Sequence, residues 1–106
     1  MEKLDIKRGK YGDIEGNKLF DKMKEVLGNC KKEEEWLVSY YGAMDPIKLR
    51  VSSKSELEME IVTKQIPDSE VLDTMRKRNE ILEYATGFTA KERLKRLKKK
   101  AKEGDL

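Results

Sequence analysis

The chain reads as one two-layer α+β domain: a four-stranded, mainly antiparallel sheet with helices on one face, in the order strand, helix, three strands, helix, helix. Three observations predict this class. Four segments alternate apolar and polar residues, the mark of strands with one buried face. Between the first and second of these, apolar residues recur at the 3.6-residue period of a helix. Two adjacent strands agree in register on both faces at once, which only an antiparallel hairpin explains.

The elements follow in order. Lys3 to Lys7 alternate, with Leu4 and Ile6 expected inward. Gly9, Gly12 and Gly16 then mark a loop. Asn17 can cap a helix whose apolar positions are Leu19, Phe20, Met23, Val26, Leu27 and Cys30, with Gly28 as a natural stop. The segment from Glu35 to Tyr41 is expected to place Trp36, Val38 and Tyr40 on the core face and to leave Tyr41 on the other. The next two strands run from Ile47 to Ser52 and from Leu57 to Lys64. A loop at 53–55 pairs Val51 with Leu57, Leu49 with Met59 and Ile47 with Ile61 on the inner face. The same register sets Arg50 opposite Glu58 and Lys48 opposite Glu60 outside; such pairs contribute roughly 0.2–1 kcal/mol each.

Pro67, Asp68 and Ser69 open a second helix that runs to Ala85, with Val71, Leu72, Met75, Leu82 and Ala85 as its apolar stripe. Asn79 sits on that stripe and needs a partner if buried. After Gly87, Thr89 and Glu92 form a capping box, so a third helix begins near Ala90. The chain thus divides into an α+β body at 1–88 and a basic helix and tail at 89–106. This order of elements is similar to that of TATA-box-binding-protein-like and helix-grip folds, a topological likeness that no motif carries.

Composition narrows the function. The 106 residues include 24 Lys and Arg, 21 Asp and Glu, no histidine and one cysteine. Without histidine the chain lacks the commonest general base and metal ligand. A lone Cys30 forms neither an internal disulfide nor a cysteine-only metal site, and its place on the first helical stripe makes it a buried small hydrophobe. Gly9, Gly12 and Gly16 match neither the dinucleotide fingerprint nor the P-loop. Glu33, Glu34 and Glu35 read as a solvated charge run. No catalytic residue, metal site or cofactor is expected. The longest apolar run is Trp36 to Val38, too short for a membrane span, and the expectation is a soluble cytoplasmic protein with no membrane partner. Abundant Lys and Glu beside one Gln and three Asn is the composition of a thermophilic protein.

The formal net charge of +3 is uneven. Residues 89–106 hold eight basic and three acidic groups, a local +5, which leaves the body at −2. On the third helix Ala90, Leu94, Leu97 and Ala101 form a narrow apolar seam amid cations. Lysines at helical neighbour spacing repel unless an anion lies close, and a nucleic-acid backbone is the obvious polyanion. The expectation is a non-enzymatic accessory protein that binds nucleic acid, DNA or RNA, through Lys95, Arg96, Lys98, Lys99, Lys100 and Lys102. The alternative is an interaction or self-association module, a homo-oligomer joined through Leu94 and Leu97.

The stretch from Tyr84 through Arg93, and Tyr40-Tyr41-Gly42-Ala43, resemble a family of small uncharacterised archaeal proteins, a domain of unknown function. The resemblance covers most of the chain and implies a cytoplasmic setting. It implies no activity, ligand or site residue.

Overall fold

The computed structural model describes residues 2–104, with side chains described through residue 99. Strand β1 (Glu2–Asp5) leads through a loop with one 3-10 turn (Tyr11–Asp13) into helix α1 (Lys18–Leu27). Strands β2 (Lys31–Glu33), β3 (Trp36–Tyr41), β4 (Met44–Ser53) and β5 (Glu56–Thr63) follow, then helices α2 (Asp68–Thr86) and α3 (Ala90–Gly104). All pairings in the sheet are antiparallel and the strand order is β1-β5-β4-β3-β2.

The α+β class is as expected, but the sheet has five strands rather than four. The additional strand, β2, is three charged residues long and pairs with β3 through Lys31↔Val38 and Glu33↔Trp36. It carries no apolar alternation because it is a short edge strand, where charge deters further pairing. Asn29 continues its ladder with a side chain: the amide donates to the Tyr40 carbonyl at 2.8 Å and accepts from the Tyr40 N–H at 2.9 Å.

The hairpin of β4 and β5 has the expected register, with Ile47↔Ile61, Leu49↔Met59 and Val51↔Leu57 inside and Lys48↔Glu60 and Arg50↔Glu58 outside. Arg50 and Glu58 meet at 2.6 Å. Against the inner face α1 packs Leu19, Met23 and Leu27, and α2 packs Ile81, Leu82 and Ala85. Burying a side chain of this size contributes about 1.5–3 kcal/mol. Gly28 and Gly87 end the two helices in the left-handed conformation, as glycine there allows.

Two face assignments are corrected. In β3 the pairing Leu37↔Leu49 puts Leu37 and Tyr41 on the core side, so Trp36 and Tyr40 lie outside. The Arg50 guanidinium stacks 4.5 Å from the Trp36 ring centroid, and Tyr40 is exposed beside Lys31. Large aromatics on one parity suggested a core face; a cation-covered outer face holds them instead. Ser39, fully buried on the inner parity, donates its hydroxyl to the Asn29 carbonyl at 2.7 Å.

The second correction concerns α2. Its C-terminal half is buried as expected, but Val71, Leu72 and Met75 in its N-terminal half are exposed, Leu72 by 65%. This half is held by its polar side. Tyr41 donates its hydroxyl to Asp73, and the Thr74 hydroxyl accepts from the Ala43 N–H at 3.3 Å. The helix therefore stands off the sheet at this end. Among the described residues no helix is long and apolar enough to cross a membrane.

Candidate nucleic-acid interface and a second cleft

Helix α3 starts as its sequence dictates. Thr89 N–H donates to the Glu92 carboxylate at 3.0 Å and Glu92 N–H donates to the Thr89 hydroxyl at 3.2 Å, the reciprocal capping box. These bonds hold the Glu92 carboxyl below the usual carboxylate range, the backbone donor of Thr89 first among the causes.

Two arginines latch the helix to the body. Arg93 donates to the Phe88 carbonyl at 2.6 Å and to Asn79 Oδ1 at 3.1 Å, which supplies the partner Asn79 requires. Burial, then the neighbouring charge of Arg78, lowers the pKa of Arg93, while Glu83 and Glu2 act in the opposite sense. Arg96 pairs with Asp5 of β1 at 2.9 Å and lies 4.5 Å from the Phe88 ring centroid. With Leu4, Phe88 and Leu97 lining a small crevice between them, α3 lies beside the edge strand β1. That position shields an open sheet edge.

The other expected contact residues divide. Lys95, Lys98 and Lys99 are exposed and form no ion pair among the described residues. Arg96 is engaged with Asp5, so it anchors the helix. The side chains of Lys100 and Lys102 lie outside the described residues. Lys91, absent from the expected contacts, is also exposed and unpaired among the described residues. At 100° per residue, Lys91, Lys95, Lys98 and Lys99 share one face, and the latch arginines occupy another. The apolar seam is not buried, since Leu94 is 53% and Leu97 46% exposed.

A second feature was absent from the sequence reading. Where α2 stands off the sheet, a cleft of about 560 Å³ opens between its N-terminal half and β1, β4 and β5. Met44, Met59, Ile61, Val71 and Met75 form its apolar walls, and Arg78, Glu2 and Glu60 also line it. Arg78 Nε is buried without a hydrogen-bond partner among the described residues. Lining residues come from β1, the turn before β4, β4, β5 and α2, so no local motif announces the cleft.

The comparisons with known proteins give one match. The family model described as Domain of unknown function (DUF5611) matches residues 1–99. No curated protein and no solved structure matches the chain.

Proposed function

We propose, for a chain that belongs to this domain family of unknown function, that it is a non-enzymatic nucleic-acid-binding accessory protein whose contact surface is the lysine face of α3. One observation carries the reading: Lys91, Lys95, Lys98 and Lys99 are exposed, unpaired among the described residues and on one helical face, while Arg93 and Arg96 fix that helix to the body. A solvated helix tolerates like charges at this spacing only at a cost of some 0.2–0.5 kcal/mol per pair. A phosphate backbone removes that cost and releases its own counterions. At 1.5 Å per residue the row from Lys91 to Lys99 spans about 12 Å, comparable with the width of a major groove between its phosphate rows. The contacts are to phosphate, so the binding discriminates little by sequence.

Four contacts predict a slope of about −3.6 in log K against log salt on duplex DNA, at −0.9 per phosphate. Fluorescence anisotropy of labelled duplex DNA and single-stranded RNA over a salt series measures it. The comparison is the full chain against a variant with Lys95→Glu, Lys98→Glu and Lys99→Glu. These exposed sites leave the latch intact, whereas truncating the helix would also uncover β1 and strand Asn79. Loss of binding in the variant supports the reading. Equal binding by the variant, or none by the parent at low salt, rejects it.

A second reading has its own observation, the half-exposed Leu94 and Leu97. In that reading the seam joins two chains. Sedimentation velocity of the parent and of Leu94→Asp decides it: a parent dimer that the substitution dissociates favours association, and two monomers count against it.

A further inference from the structure

The cleft under α2 has no part in the α3 reading. Its volume of about 560 Å³ falls within the roughly 300–1,000 Å³ of small-molecule sites, which pair apolar walls with few polar groups. Three of its walls are methionines, Met44, Met59 and Met75, whose unbranched side chains adapt to an irregular apolar body. At one end stands Arg78, with its Nε buried and unpartnered among the described residues. Beside it lies a second guanidinium, Arg93, whose own acceptors are the neutral Asn79 amide and Phe88 carbonyl. A half-buried guanidinium whose Nε finds no acceptor beside apolar walls is complementary to an anion.

The rest of the lining narrows the anion. Glu2, opposite inward-facing Met59, also borders the cleft and forms no ion pair with Arg78 among the described residues, whereas Glu60 lines it from a position whose side chain belongs to the outer face. The Glu2 carboxylate nearby opposes a dianion such as a phosphate monoester more strongly than a single charge. The Thr74 hydroxyl is already held by the Glu70 carbonyl at 3.0 Å, and the adjacent walls offer apolar surface.

We propose that the cleft between α2 and the inner face of β1, β4 and β5 binds an amphipathic monocarboxylate, its apolar chain against Met44, Met59 and Met75 and its carboxylate on Arg78. The probe is decanoate, below its micellar concentration, titrated into the full chain by calorimetry and followed by the ¹³C-methyl signals of methionine. Decanoate shifts Met44, Met59 and Met75 and leaves core Met23 unmoved, and it binds more tightly than decanol. Arg78→Gln weakens decanoate by about tenfold or more, as loss of a charge-assisted hydrogen bond implies, and leaves decanol unchanged. Met75→Asp, at an exposed position, weakens both. Absence of binding, equal affinity for acid and alcohol, or indifference to both substitutions overturns the proposal. So does a parent dimer dissociated by Met75→Asp, because a second copy is then the occupant.

Discussion

Gly42→Ala tests how the end of that cleft is built. Gly42 sits in the turn between β3 and β4 with φ at +52°, in the left-handed region. An alanine there costs about 1–2 kcal/mol from backbone conformation alone. Its Cβ would also lie 2.0 Å from Thr74 Oγ1 and 3.2 Å from Thr74 Cβ. Thr74 must therefore rotate, giving up its bonds to the Glu70 carbonyl at 3.0 Å and from the Ala43 N–H at 3.3 Å. Losing one or both adds about 1–2 kcal/mol. The expected total is about 2–4 kcal/mol, or on the order of 10–20 °C in Tm for a domain near this size. Thermal and urea denaturation followed by circular dichroism measure it. The control is the same substitution in a Thr74→Ala background, where the 2.0 Å contact with Oγ1 is gone and the backbone cost of about 1–2 kcal/mol remains, with only the 3.2 Å approach to the Cβ beside it. Equal cost in both backgrounds would refute the claim that Thr74 packs directly on this turn.

Two further outcomes follow from named contacts. Arg50 carries the Glu58 ion pair at 2.6 Å, a weaker one to Glu35 at 3.6 Å and the stack on Trp36. Arg50→Ala leaves the nearly buried Glu58 unpaired and should cost about 2–3 kcal/mol in urea melts, somewhat below the range for fully buried pairs. Arg50→Lys keeps the charge and should cost about 1 kcal/mol, with a change in Trp36 emission as the stacking is lost. For Glu92 the carboxyl is more acidic in the folded chain than in the unfolded one. Its contribution to the α3 cap is therefore complete above the unfolded carboxylate value and is lost as pH falls through the lowered folded value. Amide exchange in the first turn of α3 should accelerate over that acid range. Glu92→Gln, which preserves the capping geometry, should flatten the dependence; an unchanged pH profile in that variant would assign it to another group.

What the sequence revealed depended on whether both faces of an element carried information. The β4–β5 register was legible because apolar pairs inside and opposite charges outside gave the same answer. In β3 both parities carry large residues, and size alone put Trp36 and Tyr40 in the core, whereas of that parity only Val38 is buried: Trp36 is satisfied by Arg50, a contact from the neighbouring strand. β2 was invisible because a charged three-residue edge strand has no alternation to read. The stripe of α2 was identified correctly as apolar, yet periodicity cannot distinguish a stripe that meets the sheet from one that overhangs it. For α3 the capping box was plain, and so was the charge. Its division into latch arginines and a lysine face was not, because Asp5, Phe88 and Asn79 are supplied by tertiary packing. Helical spacing could have added Lys91 to the candidates. Nothing local could have set Arg78 among Met44, Met59 and Met75.

The most direct measurement of the central claim is an amide chemical-shift titration of the ¹⁵N-labelled full chain with a short mixed-sequence DNA duplex at low salt. The account predicts that shifts concentrate between Lys91 and Lys99, reverse when salt is added, and leave the outer face of β3 and β4 unaffected. Shifts centred on Trp36, Tyr40 and Lys48 instead, or a spectrum unchanged by excess duplex, would contradict it.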